Sequence, residues 1–188
     1  MPLLFNEMSI SGLFLITAHH AGDERGYLTK YYDKEIFKEN GIEAEFCEIA
    51  EIMSQKGTLR GLHYQNSPSQ ARLIHVISGS IFNAAVDLRP ASASFGKGEC
   101  CYLSRDKAIF VPEDFANGFL AMEDNTIITC HYSNKYTAQN CGGIIWNDSH
   151  LNIPWPLDKL NCQITISEKD MILQTFKQYS ENHKRDSL

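Results

Sequence analysis

The segment Gly57-Thr58-Leu59-Arg60-Gly61-Leu62-His63-Tyr64-Gln65 and the distant segment Ile166-Ser167-Glu168-Lys169-Asp170 together offer a fixed cation, a proton-transfer base and a carboxylate. A histidine held in one tautomer by a carboxylate can serve as a proton-transfer base. An arginine beside it can hold the anion that results, or an anionic part of the substrate. Arg60 and His63 lie three residues apart, so an even strand sends them to opposite faces; a bulge at Gly61 turns both into one cavity. The plainer alternative makes Arg60 a surface ion-pair partner and His63 a hydrogen-bonded core histidine. Asp170, in the first turn of a helix that Ser167 can cap, is either a carboxylate at a helix N-terminus or the group that orients His63. Arg72 shares a strand face with Ile74 and Val76 and reads either as a cavity cation or as a surface arginine lying along apolar neighbours.

Other chemistries find less support. His63, His75 and His131 are scattered over different strands, His19-His20 sits in an early loop, and no His-x-His appears, so no metal is expected. A glycine-rich phosphate loop, a Gly-x-Ser-x-Gly elbow and a cysteine with a histidine partner are all missing, and with them the signs of covalent catalysis. The six cysteines, at positions 47, 100, 101, 130, 141 and 162, show no Cys-x-x-Cys spacing and read as reduced thiols, mostly buried as small hydrophobes.

These residues must be positioned by strands. Runs rich in β-branched and aromatic residues recur between turn signals, which predicts a mostly β chain: a sandwich or small antiparallel barrel with few helices. Strands are expected at Leu13–Ala18, Tyr27–Tyr32, Glu45–Met53, Arg72–Ile77, Ile81–Leu88, Glu99–Leu103, Ala108–Val111, Gly118–Met122 and Thr126–Tyr132. Ser78-Gly79-Ser80 predicts a tight hairpin between two of them. In the second, Phe82, Ala84, Val86 and Leu88 form a core face, leaving Asn83 and Asp87 on a face that could line a cavity. Helices are expected from about Lys34 to Glu39 and from Ser167 to about Gln178, with the polar tail 180–188 fraying.

The 188 residues are 43% hydrophobic and carry a formal charge of −6. One domain spanning 1–188, with its core over about 10–175, is the natural expectation. An acidic chain is not built for nucleic acid, so any anion must be met by a few local arginines. No apolar run approaches the ~20 residues of a membrane span, and the first residues lack the basic, long-apolar character of a secretory signal, so a cytoplasmic protein that does not engage membranes is expected.

Several motifs in order extend the Arg60–His63 signature: Asp23-Glu24-Arg25-Gly26-Tyr27, Gln70-Ala71-Arg72-Leu73, Val86-Asp87-Leu88-Arg89, Pro112 to Phe119, Trp146-Asn147-Asp148 and Ile153-Pro154-Trp155-Pro156. Over residues of about 10 to 170 the chain resembles the dTDP-4-dehydrorhamnose 3,5-epimerase family. That resemblance implies a cupin-type jelly-roll antiparallel β-barrel with a few short helices and a C-terminal helix, usually a homodimer, working without metal or organic cofactor. It also implies a nucleotide-diphosphate sugar as substrate: a 4-keto-6-deoxy sugar whose C3 and C5 protons are acidified by the ketone. His63 matches the family's base and Asp170 its orienting carboxylate; Arg25 and Arg60 match substrate contacts, and Tyr136 matches a tyrosine near the nucleotide sugar.

The chain also departs from the family's pattern. Cys130-His131 stands where the family has Tyr-Lys with the tyrosine as general acid, and Tyr132, on the same strand face as Cys130, is a second candidate for the missing acid. Arg72 replaces a lysine that helps hold the enolate. Phe82-Asn83-Ala84 replaces Phe-Asp-Val, Ala116-Asn117 replaces Ala-His, Glu48-Ile49-Ala50 replaces a Gln-Asp-Asn stretch that lines the site, and Thr29 replaces a glutamate. On this comparison Glu48, Arg72, Asn83, Asn117 and His131 are expected to contact substrate, and the catalytic set is His63, Asp170 and Tyr132 or Cys130. The changes imply epimerisation at C3, C5 or both of a nucleotide-linked 4-keto sugar, an isomerisation of an altered substrate, or a silent nucleotide-sugar-binding relative. Ser9–Ala18 is a segment able to extend a neighbour's sheet in a dimer.

Overall fold

Strands buried on both sides read as near-continuous apolar runs, and β-branched segments such as Arg72-Leu73-Ile74-His75-Val76-Ile77 need cover on each face. The computed structural model, which describes residues 2–185, supplies that cover with two facing sheets. The elements run β1 (Leu3–Glu7), β2 (Phe14–Ala18), β3 (His20–Asp23), β4 (Gly26–Thr29), α1 (Lys34–Glu39), β5 (Glu48–Ser54), β6 (Leu59–Gln65), β7 (Arg72–Ser78), β8 (Ile81–Asp87), β9 (Gly98–Leu103), β10 (Lys107–Val111), β11 (Phe115–Ala121), β12 (Thr126–Tyr132), β13 (Cys141–Gly143), α2 (Glu168–Met171) and α3 (Phe176–Arg185). One sheet has the order β1-β2-β10-β7-β12-β5, the other β13-β6-β11-β8-β9, and β3 and β4 pair only with each other. All of these pairings are antiparallel. This is the expected jelly roll, but its sheets stay open rather than closing into a barrel.

Between the sheets, Leu13, Ile74, Val76 and Ile109 meet Ile81, Phe115 and Phe119. The far side of the five-stranded sheet is covered by the C-terminal segment, with Trp155, Phe176 and Tyr179 packed on Phe82, Val86 and Leu62. Phe37 of α1 caps the six-stranded sheet against Ile16, Leu73 and Phe110, and Asp33 starts that helix by accepting from the Ile36 N–H.

Four expectations change. The Ser78-Gly79-Ser80 turn does not close a hairpin: β7 pairs with β10 and β12, β8 with β9 and β11, so the turn carries the chain from one sheet to the other. Gly79 does hold the predicted positive φ, +75°. The Arg60–His63 motif itself is strand β6, which Gly61 disguises as loop; β1, β3 and β13 are likewise strands outside the expected set. The C-terminal helix is broken, because residues between α2 and α3 leave it to join the sheet edge, where the Ile145 N–H donates to the Gln174 carbonyl at 2.9 Å. Helix α3 then continues through Arg185 into the segment expected to fray, the rest of which, 186–188, lies outside the described residues. Among the described residues no helix is long and apolar enough to cross a membrane.

Candidate active site

The geometry of β6 is set by how closely it approaches β11. His63 lies opposite Asn117 and Arg60 opposite Phe119, so Gly61 and Leu62 on one strand face Gly118 alone on the other. That extra residue is a bulge, and it turns Arg60 and His63 into the same chamber. Gly61 has φ +113°, and a Cβ there would come within 2.6 Å of Gly118 Cα and 2.8 Å of the Asn117 carbonyl oxygen. Gly41 also holds a positive φ, +80°, with nothing within 4 Å of its Cβ position. Gly61→Ala is therefore expected to lower stability by about 3 kcal/mol or more and Gly41→Ala by about 1 kcal/mol, read by thermal denaturation.

His63 Nε2 is 2.7 Å from Asp170 Oδ1, and the second carboxylate oxygen accepts the Gly61 N–H at 3.3 Å. Asp170 is 4% exposed in α2, and Ser167 caps this short helix by accepting the Asp170 N–H at 3.1 Å. Burial pushes the Asp170 carboxyl up, but its hydrogen bond to His63, the charge there and the Gly61 and Ser167 contacts outweigh burial and hold it below the ordinary aspartate range. A carboxylate so held accepts a hydrogen bond from Nε2–H, which leaves Nδ1 of His63 as the nitrogen with a free lone pair.

The opposite wall comes from β7 and β12. Tyr132 pairs with Arg72 and Cys130 with Ile74 in their register, and all four side chains line the chamber, whose volume is about 220 Å³. Burial pushes the Cys130 thiol up to about 11 against the pull of Arg72. Burial, and then the neighbouring Cys130, also raise the Tyr132 phenol above its ordinary value. Both groups therefore keep their protons at neutral pH and stand as donors. Arg72 is 9% exposed, donates to the His63 carbonyl at 3.0 Å and leaves Nε buried without a partner. No ion pair to a carboxylate involves it among the described residues. A buried cation without an anion partner is costly, so an anionic group entering the chamber would be met by Arg72. Arg60 is held on the other flank by Ser54, whose Oγ accepts from its Nε at 3.3 Å.

His63, Arg72 and Tyr132 also line a second hollow of about 240 Å³, with Gln70, Tyr136 and Lys169 at its sides. The two are an inner and an outer chamber of one cleft. Tyr136, 57% exposed, stands at the outer chamber, and Glu48 secures it by accepting its backbone N–H at 3.1 Å. Glu48 thus holds a wall residue and lines neither chamber. Asn117 lines the inner chamber, whereas Asn83 is fully buried beneath it. The structure thus brings His63, Asp170, Arg60, Arg72, Cys130, Tyr132 and Asn117 together.

Two expected contacts lie elsewhere in the single chain. Cys130 and Tyr132 point inward, so His131 between them must point outward; its ring lies 5.3 Å from His75 and 5.9 Å from Phe46 on the outer face, where burial lowers its pKa. Arg25 sits at the turn of the β3–β4 hairpin, its side chain 83% exposed and paired with Asp23 at 2.5 Å. It lines a separate hollow of about 370 Å³ with Tyr27 and Leu28 that contains no histidine–carboxylate pair. Lys169 and Gln70 were not expected at the site. Lys169 had a signal, as the neighbour of Asp170; Gln70 had only its place in the Gln70–Leu73 motif. Among the described residues no group of three or more His, Cys, Asp or Glu side chains is arranged to hold a metal ion.

The model of the family described as dTDP-4-dehydrorhamnose 3,5-epimerase matches residues 7–178. A relative of that name from Methanothermobacter thermautotrophicus is 40% identical over 168 residues, 88% of this chain and 90% of the relative. A Legionella pneumophila enzyme solved with dTDP-4-keto-L-rhamnose superposes with a TM-score of 0.88 at 30% identity, covering 94% of each chain. The Mycobacterium tuberculosis epimerase superposes at 0.90, also 30% identical, over 96% of this chain and 92% of its own. The His63–Asp170 pair lies in the cleft between the two sheets, and by its match over residues 7–178 the chain belongs to the dTDP-4-dehydrorhamnose 3,5-epimerase family of isomerases.

Proposed function

We propose that the protein epimerises a nucleotide-linked 4-keto-6-deoxy sugar at C3, C5 or both. The observation that carries this reading is the opposition of His63, on one sheet and bonded to Asp170 of α2, to Arg72, Cys130 and Tyr132 on the other, across one chamber. His63 Nδ1 takes the proton on the carbon next to the ketone. The C–H electron pair becomes the C=C bond of an enolate, and the carbonyl electrons move onto O4, where Arg72 meets the charge. Tyr132 then delivers its proton to the opposite face of that carbon, restoring the ketone and inverting the centre. The imidazolium and the phenolate return to their starting states by proton exchange with solvent. Arg72, which faces Tyr132 in the register, favours the transient phenolate.

Incubation with dTDP-4-keto-6-deoxy-D-glucose in deuterium oxide, followed by mass and proton NMR analysis, tests this reading. Deuterium at C3, C5 or both with an inverted centre is the expected result. Absence of uptake with binding intact would instead make the chain a silent nucleotide-sugar-binding relative. Tyr132→Phe separates the two proton transfers: deuterium uptake is expected to persist within about tenfold while inversion falls by about 10²-fold. Inversion unimpaired in Tyr132→Phe and lost in Cys130→Ala would move the acid role to the thiol.

We also propose a homodimer in which the β3–β4 arm packs on the second copy and brings Arg25 to its cleft. The support is that this hairpin pairs with neither sheet and displays Tyr27 and Leu28 at 53% and 58% exposure. Sedimentation is expected to give a dimer, and Tyr27→Ser with Leu28→Ser to shift it toward monomer with loss of turnover; a monomer with full activity would refute this arrangement.

A further inference from the structure

One side-chain amide, Asn117, lines the inner chamber and a second, Asn83, is buried behind it, and the proton transfers use neither. Asn117 stands opposite His63 in the β6–β11 register and lines the same chamber. Its Nδ2 lies 3.0 Å from the Ala84 carbonyl oxygen and 3.0 Å from Asn83 Oδ1. A backbone carbonyl accepts and never donates, so the Ala84 contact alone fixes which end of the Asn117 amide is nitrogen. The same logic passes to Asn83. Facing an N–H donor, it must present its oxygen, and its own Nδ2 is left buried with no partner.

Asn83 is 0% exposed and Asn117 5%, among side chains of the apolar core between the sheets. A buried donor without a partner lowers stability, and an apolar residue at position 83 would avoid that cost. What Asn83 provides is a second hold on Asn117. With both hydrogens of Nδ2 engaged, Asn117 Oδ1 accepts no hydrogen bond from any described side chain. It is an acceptor of fixed direction, uncharged, next to the base.

We propose that Asn117 accepts the O–H of a ring hydroxyl of the sugar, beside the carbon at which His63 acts, and that Asn83 is the positioning residue that keeps it an acceptor. This rests on the 4-keto-sugar reading above and deepens it into a specificity. A hydroxyl at that ring position satisfies Oδ1, a hydrogen leaves it unpaired, and a second carbonyl or ether oxygen opposes it. Because an amide does not titrate, the discrimination adds no ionisable group beside His63.

The test measures kcat/KM for solvent deuterium uptake with dTDP-4-keto-6-deoxy-D-glucose and with its 2-deoxy and 3-deoxy analogues. The native protein is expected to prefer the parent over one of the two analogues by about tenfold or more. Asn117→Ala is expected to lower the parent's value about tenfold while leaving that analogue within about twofold, so the preference collapses. Asn83→Leu is expected to weaken the preference about threefold, and it carries the test should Asn117→Ala fail to fold. Equal losses for parent and analogues, or a native protein indifferent to both hydroxyls, would overturn the proposal while leaving the epimerase reading intact. No uptake from the parent sugar would overturn that reading and this one with it.

Discussion

His63→Asn is expected to reduce epimerisation by about 10³-fold or more and to abolish solvent deuterium uptake at the carbon it serves, with the fold unchanged. His63 is a half-exposed side chain on the chamber wall, so an amide of similar size leaves the core intact. Its ring has one hydrogen-bonded nitrogen, toward Asp170 at 2.7 Å, and one free nitrogen. Asparagine removes the free basic nitrogen, and nothing else on that wall replaces it: Asn117 is neutral and Arg60 is a cation. Asp170→Asn makes a sharper companion. The amide keeps the volume but offers one acceptor oxygen where the carboxylate meets two donors, Nε2–H and the Gly61 N–H, so the tautomer with a basic Nδ1 loses support, and a fall of about 10²-fold or more is expected. A variant of His63 that still exchanged deuterium at the native rate would remove the base from its role.

How far the site could be read from sequence depends on which contact each residue makes. His63 and Asp170 stand 107 positions apart and still meet, and their spacing to Ser167 and Gly61 already held the reason: a capped first turn presents Asp170, and a glycine lets β6 bulge. Alternation along β12 told that Cys130 and Tyr132 share a face; applied to the residue between them, it also places His131 outside. The hairpin misread at Gly79 has a different cause. A glycine turn between two apolar strands looks the same whether the strands pair or belong to separate sheets, and only long-range burial of both faces of β8 decides it. The break between α2 and α3 is invisible locally for the same reason, since the Gln174 backbone leaves the helix to satisfy Ile145 in the sheet. The orientation of the Asn117 amide needed the Ala84 carbonyl, which no sequence pattern shows.

Arg72→Met is the variant in which stability and activity are expected to part. Epimerisation should fall by about 10²- to 10³-fold, the scale of losing one preorganised group that meets charge developing on an oxygen. The native fold gains little from this guanidinium. Its one bond is to the His63 carbonyl at 3.0 Å, its Nε is buried and unpartnered, and no carboxylate answers its charge among the described residues. Replacing a buried unpaired charge with a methionine of similar length removes a desolvation cost and loses one hydrogen bond. The melting temperature is therefore expected to stay level or rise while turnover collapses. Arg72→Lys should recover part of the rate, because charge returns without the planar fork that bonds the His63 carbonyl and leaves further N–H donors for an oxygen in the chamber. A large drop in melting temperature for Arg72→Met with activity retained would show that the arginine serves the fold. The opposite pattern identifies a cation kept in an apolar chamber for the moment when the enolate forms beneath it.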